Sequence, residues 1–213
     1  MGSLFPWLAA ALLAFALFAF ALTTAFIDPN RIAEAEATVF GEINGLPGAA
    51  FWPLWVPMQL GSAVAIPVLA AAALWFRHHK LSATVLLAGA SGWILARIVK
   101  DVVGRDRPFA LISDTIVRNA PTGGGGYVSG HAAIAFALAT VLHPYLPTRW
   151  RVVAWTLAGV VGFSRVYVGA HLPLDIVGGA ALGCAVGLVM LLVLRPWRPN
   201  AVEENEDSIP AEA

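Results

Sequence analysis

Three short stretches hold the side chains best suited to chemistry. They are Lys100-Asp101-Val102-Val103-Gly104-Arg105-Asp106-Arg107-Pro108, then Tyr127-Val128-Ser129-Gly130-His131, then the run from Ser164-Arg165 to His171-Leu172-Pro173-Leu174-Asp175. Together they supply two histidines, a carboxylate four residues after the second histidine, and at least three permanent cations in Lys100, Arg107 and Arg165. They contain no run of carboxylates or cysteines of the kind that holds a metal. Cations with imidazoles suit a phosphate group, because phosphoryl transfer asks the protein chiefly for positioning and for positive charge on the equatorial oxygens. Arginine adds a fork that grips two of those oxygens at once.

Local structure supports the same chemistry. Ser129-Gly130 stands just before an apolar run, where a serine caps a helix and the free N–H groups of the first turn form an anion site. Gly130 lets the backbone approach closely. Pro173 suits the first turn of a helix, which puts Asp175 in that turn and leaves His171 just ahead of it. A carboxylate so placed can fix the imidazole tautomer, an arrangement of nucleophile and orienter.

The elements that must position these groups are membrane helices. Of 213 residues, 59% are hydrophobic and 12% charged, with a mean hydropathy of +0.75. A soluble domain carries about 25% charged residues, so a soluble globule, a disordered chain and a nucleic-acid binder all fit poorly. Lys and Arg number 13 and so do Asp and Glu, so no net basic field recruits a polyanion, and the single cysteine, Cys184, forms no internal disulfide. A crossing needs about 20 apolar residues. Six stretches are candidates: Leu4 to Ile27, Phe51 to Phe76, Leu81 to Val99, His131 to Leu146, Val152 to Val168 and Pro173 to Leu194. The first lacks the basic start of a signal peptide and reads as an uncleaved span. The expected fold is an all-α, polytopic bundle of six transmembrane helices in one domain, residues 1–200. Residues 201–213 form an acidic tail expected to be disordered.

Orientation follows from basic residues in short loops. Arg77/Lys80, Arg149/Arg151 and Arg195/Arg198 mark one side as cytoplasmic, with both termini on it, and Trp75, Trp150 and Trp197 beside them suit interface anchors. The other seven bases, Arg31, Arg97, Lys100, Arg105, Arg107, Arg118 and Arg165, fall elsewhere, several within the three stretches above. In a six-span fold all three stretches then share the outer surface. Between the first two spans, Ile32, Val39 and Ile43 recur at helical spacing against Arg31, Glu34, Glu36 and Glu42. That segment is either an amphipathic helix on the interface or a solvated connector.

Lys100-x6-Arg107-Pro108, Ser129-Gly130-His131 and Ser164-Arg165-x5-His171-x3-Asp175, in this order, closely resemble the three-part signature of the type 2 phosphatidic acid phosphatase (PAP2) superfamily. The resemblance covers about residues 80 to 195. It departs at Val128, where the family usually has proline, and at Leu172, where tryptophan often follows the histidine. Neither replaces a reacting group. The resemblance implies that His171 attacks phosphorus, Asp175 holds its imidazole, and His131 protonates the leaving oxygen and later activates water. It also implies that Lys100, Arg107, Ser129, Gly130 and Arg165 bind the phosphate, with no metal and no cofactor.

The remaining polar residues read as structural. Arg105, Asp106 and Asp101 are expected to shape their loop through local ion pairs, and Arg97 to snorkel or pair. His78, His79 and His143 fall outside the site, Gly123 to Gly126 are either a mobile lid over the site or, the preferred reading, a flexible connector, and Gly178, Gly179, Gly183 and Gly187 permit close helix packing. The functional expectation is a lipid phosphatase acting on a polyprenyl phosphate or diphosphate, phosphatidic acid or phosphatidylglycerol phosphate. Its partners would be the lipid phosphate and the bilayer, not nucleic acid. Eleven Arg against two Lys, with abundant Ala, suggest a GC-rich bacterial genome and hence an inner-membrane protein with a periplasmic site. A lipid phosphotransferase would use the same residues. A transporter or scaffold would be expected to have lost a reacting group, and a vanadium haloperoxidase, which shares the pattern, is a soluble protein.

Overall fold

A helix made largely of alanine can be approached closely from every side, and α7 (Gly130–Leu142) is such a helix. Its residues from Ala132 to Ala135 and from Ala137 to Val141 are buried, and it packs against α5 (His79–Val103), α8 (Thr148–Tyr167) and α9 (Pro173–Leu194). The α9 side of this contact is a stripe of glycines four residues apart. A Cβ on Gly179 would stand 2.6 Å from the Ser129 carbonyl oxygen, one on Gly187 2.6 Å from Thr140 Cβ, and one on Gly183 against the Ala133 carbonyl oxygen. Small residues at this spacing let helix backbones touch, as the sequence leads one to expect.

The computed structural model describes residues 4–120 and 123–194, so the acidic tail and the Arg195/Arg198 cluster lie outside the described residues. Besides the four helices above, the chain forms α1 (Leu4–Ala25), α2 (Glu34–Asn44), α3 (Phe51–Met58), α4 (Ala65–Trp75) and the short α6 (Pro108–Leu111). Single 3₁₀ turns cover Gly48–Ala50, Gln59–Gly61 and His143–Tyr145, and no strand occurs among the described residues. The main core joins Val85, Ala88 and Ala96 of α5 to Ile134 and Val141 of α7, with Ile66 of α4 and Val186 of α9.

Segments Trp7–Ala25, His79–Leu111 and Pro173–Leu194 are long and apolar enough to cross a membrane, and a bent pair can count as a fourth. The apolar run Phe51 to Phe76 is therefore not the single straight span its composition suggests. It breaks after Gly61, where Gly48–Gly61 and Ala65–Trp75 meet at 68°. Pro57 weakens the helix just before the break, and Gly61 is pressed so tightly on α7 that an added Cβ would lie 2.6 Å from the His131 carbonyl oxygen. The 13 residues of α7 extend only about 20 Å, short of the ~30 Å hydrocarbon core. The 20-residue α8 is long enough, but carries Arg149, Arg151 and Arg165.

Two smaller features bring the chemical groups together. Gly104, at φ 63°, ends α5 in the left-handed conformation and returns its N–H to the Lys100 carbonyl, turning the chain back so that Arg105 and Arg107 follow Lys100 closely. The segment between α1 and α3 is neither a free interfacial helix nor a solvated connector. Its helix α2 packs on α8 and α9, burying Glu36, Phe40 and Asn44. Asn44 accepts from the Ile116 N–H (2.8 Å) and donates to the Tyr167 carbonyl (3.0 Å), pinning α2 to the end of α8.

The glycine stripe makes a testable contrast. Gly183→Ala is expected to destabilise the protein by about 1–3 kcal/mol through overpacking. Gly159→Ala, on a part of α8 where an added Cβ meets nothing within 4 Å, should be neutral or stabilising by about 0.5–1 kcal/mol through helix propensity. Thermal unfolding in detergent reads both.

Candidate active site

Every residue singled out from the sequence as reacting or binding falls at an end of a helix, and all of these ends meet. Lys100 lies in the last turn of α5, and Arg107 is the N-cap residue of α6, just before Pro108. Ser129 caps α7, its Oγ accepting from the Ala132 N–H at 3.4 Å, with Gly130 and His131 in the first turn. Arg165 is in the last turn of α8, His171 in the link that follows, and Asp175 in the first turn of α9. Backbone hydrogen bonds lock these ends to one another. Ser129 N–H donates to the Asp175 carbonyl (2.9 Å), and His171 N–H to the Arg165 carbonyl (3.3 Å).

The two members of the expected histidine–carboxylate pair are almost wholly buried. Asp175 Oδ2 stands 3.4 Å from His171 Nδ1 and also accepts from the Leu172 N–H at 2.8 Å. His171 Nδ1 makes no hydrogen bond: the carboxylate is close but the bond to it is not formed, and catalytic hydrogen bonds are often long or poorly aligned before substrate binds. Burial first, and then the fields of Lys100, Arg165, Arg107 and His131, hold the His171 imidazole well below its ordinary value. It is therefore neutral near pH 7, the state in which an imidazole nitrogen can attack.

The cations facing these histidines are distinctive for what they lack. Arg165 is 4% exposed, and its guanidinium meets Met58 Sδ at 3.5 Å while its Nε has no partner. Arg107 donates to the carbonyls of Gly123, Gly124 and Ala170, each at 3.0 Å. Lys100 Nζ donates to the Gly125 and Gly126 carbonyls, also at 3.0 Å. Among the described residues, none of these three forms an ion pair. The four glycines are thus a clasp of backbone oxygens around two of the cations, not a free connector. A Cβ on Gly126 would come within 2.8 Å of the Asp106 carbonyl oxygen. Buried charge without a counterion is costly, and two such arginines with the half-buried Lys100, beside a helix N-terminus, make a receptor for a multiply charged oxyanion.

The chain matches the PAP2 superfamily over residues 80–199, more than half its length and including every one of these groups. It belongs to that superfamily. An undecaprenyl-diphosphatase from Sulfolobus acidocaldarius is 30% identical over 128 residues, which cover 60% of this chain and 62% of that protein. The chain therefore spans less than two thirds of that relative's length. Among solved structures, Aquifex aeolicus LpxE shares 25% identity with a TM-score of 0.71, covering 78% of this chain and 99% of LpxE. The transmembrane PAP2-type phosphatidylglycerolphosphate phosphatase of Bacillus subtilis has the same fold, at 19% identity and a TM-score of 0.67, covering 90% and 98% of the two chains. With several helices apolar enough to span, this PAP2 chain is an integral membrane protein.

The structure also corrects the expectation for Arg105. Arg105 does not pair locally with Asp101 or Asp106; it is 1% exposed and bridges Glu36 of α2 (2.6 Å) and Asp175 (2.9 Å). Glu36 was not distinguishable in sequence from the other acidic residues of its segment. His78 and His79 begin α5, about 30 Å along the helix from Lys100. His143 follows the far end of α7, where its Nδ1 accepts from Trp155 Nε1 (3.1 Å). Arg97 lies 5.2 Å from the Trp93 ring centre.

The unpaired cations predict how the protein responds to inorganic phosphate. At a tenfold excess over Kd, orthophosphate should stabilise it by about 1.4 kcal/mol, a rise in Tm of roughly 3–6 °C. Arg165→Met should leave the ligand-free Tm unchanged or raise it, because it removes an uncompensated buried charge, and should abolish the rise.

Proposed function

We propose that this protein is a membrane lipid phosphatase, hydrolysing a phosphate monoester or diphosphate through a phosphohistidine on His171. The observation that carries this reading is the set of cations without carboxylate partners, the buried Arg107 and Arg165 and the half-buried Lys100, gathered around a neutral histidine that has its own carboxylate. The free N–H groups at the start of α7 add to their hold on the phosphoryl oxygens. His171 Nε2 attacks phosphorus while Asp175 accepts at Nδ1, and the P–O bond to the leaving group breaks as His131, carrying a proton acquired with the incoming phosphate, protonates that oxygen. His131 then takes a proton from water, whose oxygen displaces the histidine and releases inorganic phosphate. The charge compensation that a metal would otherwise supply comes from the three cations, so turnover proceeds in excess chelator.

A lipid is the substrate class best suited to this site. An apolar cleft of about 800 Å³ runs along α9 from Val177, near the turn that bears Asp175, to Leu191, with α1 forming its opposite wall. It offers a hydrocarbon tail a path beside the site. Relatives whose names specify an undecaprenyl diphosphate or a phosphatidylglycerol phosphate favour polyprenyl or glycerophospholipid phosphates. We place six spans in the membrane of a bacterial inner membrane, with α3 and α4 forming one bent crossing and α7 and α8 lying within the bundle. The site then faces the periplasm and both termini the cytoplasm, the side on which Arg77, Lys80, Arg149 and Arg151 lie.

The experiment is phosphate release by the purified protein from polyprenyl diphosphate, phosphatidic acid and phosphatidylglycerol phosphate in excess EDTA. Wild-type protein should release inorganic phosphate, and appearance of label in a second lipid instead would mark a phosphotransferase. His171→Ala should lose at least about a thousandfold in kcat, and His131→Ala about 10²–10⁴-fold. For orientation, single cysteines at Asp114 and Thr148, in a Cys184→Ala background, should react with an impermeant thiol reagent from opposite sides; labelling from one side would break the six-span arrangement.

A further inference from the structure

The charged groups of the site divide into two sets, and only one of them faces the phosphate. The second is an array of Glu36, Arg105 and Asp175, each at most 7% exposed, in which the Arg105 Nη atoms are paired and its Nε is not. Arg105 Nη2 donates to Glu36 Oε2 at 2.6 Å; its Nη1 donates to Glu36 Oε1 at 3.2 Å and to Asp175 Oδ1 at 2.9 Å. Glu36 Oε1 accepts a further bond, from the Leu174 N–H at 2.9 Å, in the first turn of α9. Asp175 is thus held at both oxygens, Oδ1 by Arg105 and Oδ2 by the Leu172 N–H, which leaves Oδ2 facing His171 Nδ1. Arg105 fills one of the unspecified positions of the first signature motif, and Glu36 lies outside all three.

We infer that Arg105 and Glu36 are positioning residues for the proposed reaction: Glu36, carried on α2, clamps the Arg105 guanidinium, and Arg105 fixes the rotation of the Asp175 carboxylate that orients His171. The physical case rests on how few other partners Asp175 has. A fully buried carboxylate left without a cation must turn towards another donor or take up a proton, and either change leaves His171 Nδ1 with no acceptor. Glu36 is needed because Arg105 makes one charge-assisted bond to Asp175 but two to Glu36, so without Glu36 the fork has nothing to hold its plane. Glu36 also keeps Arg105 out of the phosphate-binding set: with two carboxylates around it, its charge is already compensated. The helix between α1 and α3 is thereby a working part of the catalytic centre, although Glu36 lies 69 residues away in sequence from Arg105.

This inference rests on the phosphatase reading, and the test separates the two. Arg105→Gln and Glu36→Gln are assayed for kcat and KM on the lipid phosphate that wild-type protein hydrolyses, alone and in an Asp175→Asn background, with detergent Tm recorded for each. Arg105→Gln should lower kcat about 10–100-fold, the scale of a misplaced reacting group, with KM within twofold because the phosphate-binding cations are untouched. In the Asp175→Asn background the same change should cost less than twofold, since the route through Asp175 is gone. Glu36→Gln, nearly isosteric, should show the same pattern with a smaller fall in kcat, and serves if Arg105→Gln does not fold. A raised KM at constant kcat would make Arg105 a phosphate ligand, and a full additional loss in Asp175→Asn would mean that it acts independently. Either result overturns the inference, as does wild-type kcat in both variants while His171→Ala is inactive. Equal turnover by wild type and His171→Ala would instead overturn the phosphohistidine on which the proposed function relies, and release of phosphate by wild-type protein from none of the lipids would overturn the phosphatase reading itself.

Discussion

Burial of charge is the constraint on which the rest of the structure depends. Arg105, Arg107, Arg165, Glu36 and Asp175 are each less than 9% exposed in a protein built mainly of apolar helices, and each must be compensated or remain costly. The protein treats them in two ways. Arg105 is neutralised by two carboxylates at short range, whereas Arg107, Arg165 and the half-buried Lys100 are satisfied only by carbonyl oxygens, a thioether or nothing. Carbonyl dipoles hold a cation in place without cancelling its charge. The difference separates what holds the machinery from what is left to attract a phosphate.

The architecture can be understood as the means of bringing these groups to one place. Helix ends are the natural location: the starts of α7 and α9 offer unsatisfied N–H groups that favour an anion, and the last turns of α5 and α8, whose free carbonyls favour cations, carry Lys100 and Arg165. To join four of them, α7 is short and rich in alanine, α9 presents glycine to it, and the chain before α4 bends at Gly61 to lie against His131. The same bend puts Met58 beside Arg165. Close packing at the glycine stripe thus serves geometry at the far end of the helices, since a shift of α9 relative to α7 would carry Asp175 away from the residues it faces.

Much of this was legible in the sequence, and the parts that were not share a cause. Ser129, Pro173 and the His171–Asp175 spacing are local signals, read from the rules of helix ends within a few residues, and the glycines of α9 announce a close contact without naming the partner. Glu36 was hidden because its significance lies in a partner 69 positions away, while locally it is one acid among several on a polar-looking helix. Arg105 was misjudged for the same reason: two nearer aspartates offered themselves as partners, and tertiary packing chose a distant glutamate. The break in the second apolar stretch left only Pro57 and Gly61 as signs, which uniform hydropathy obscured. The clasp of Gly123 to Gly126 around Lys100 and Arg107 is made of backbone oxygens, which carry no sequence signal.

The stereochemical course at phosphorus tests most directly the proposal that His171 takes the phosphoryl group. An isotopically chiral phosphorothioate analogue of the lipid substrate, hydrolysed in ¹⁸O-water, reports the number of in-line displacements. Two successive displacements, on to His171 and then to water, predict net retention of configuration. Net inversion would mean that water attacks phosphorus directly, and would contradict the account.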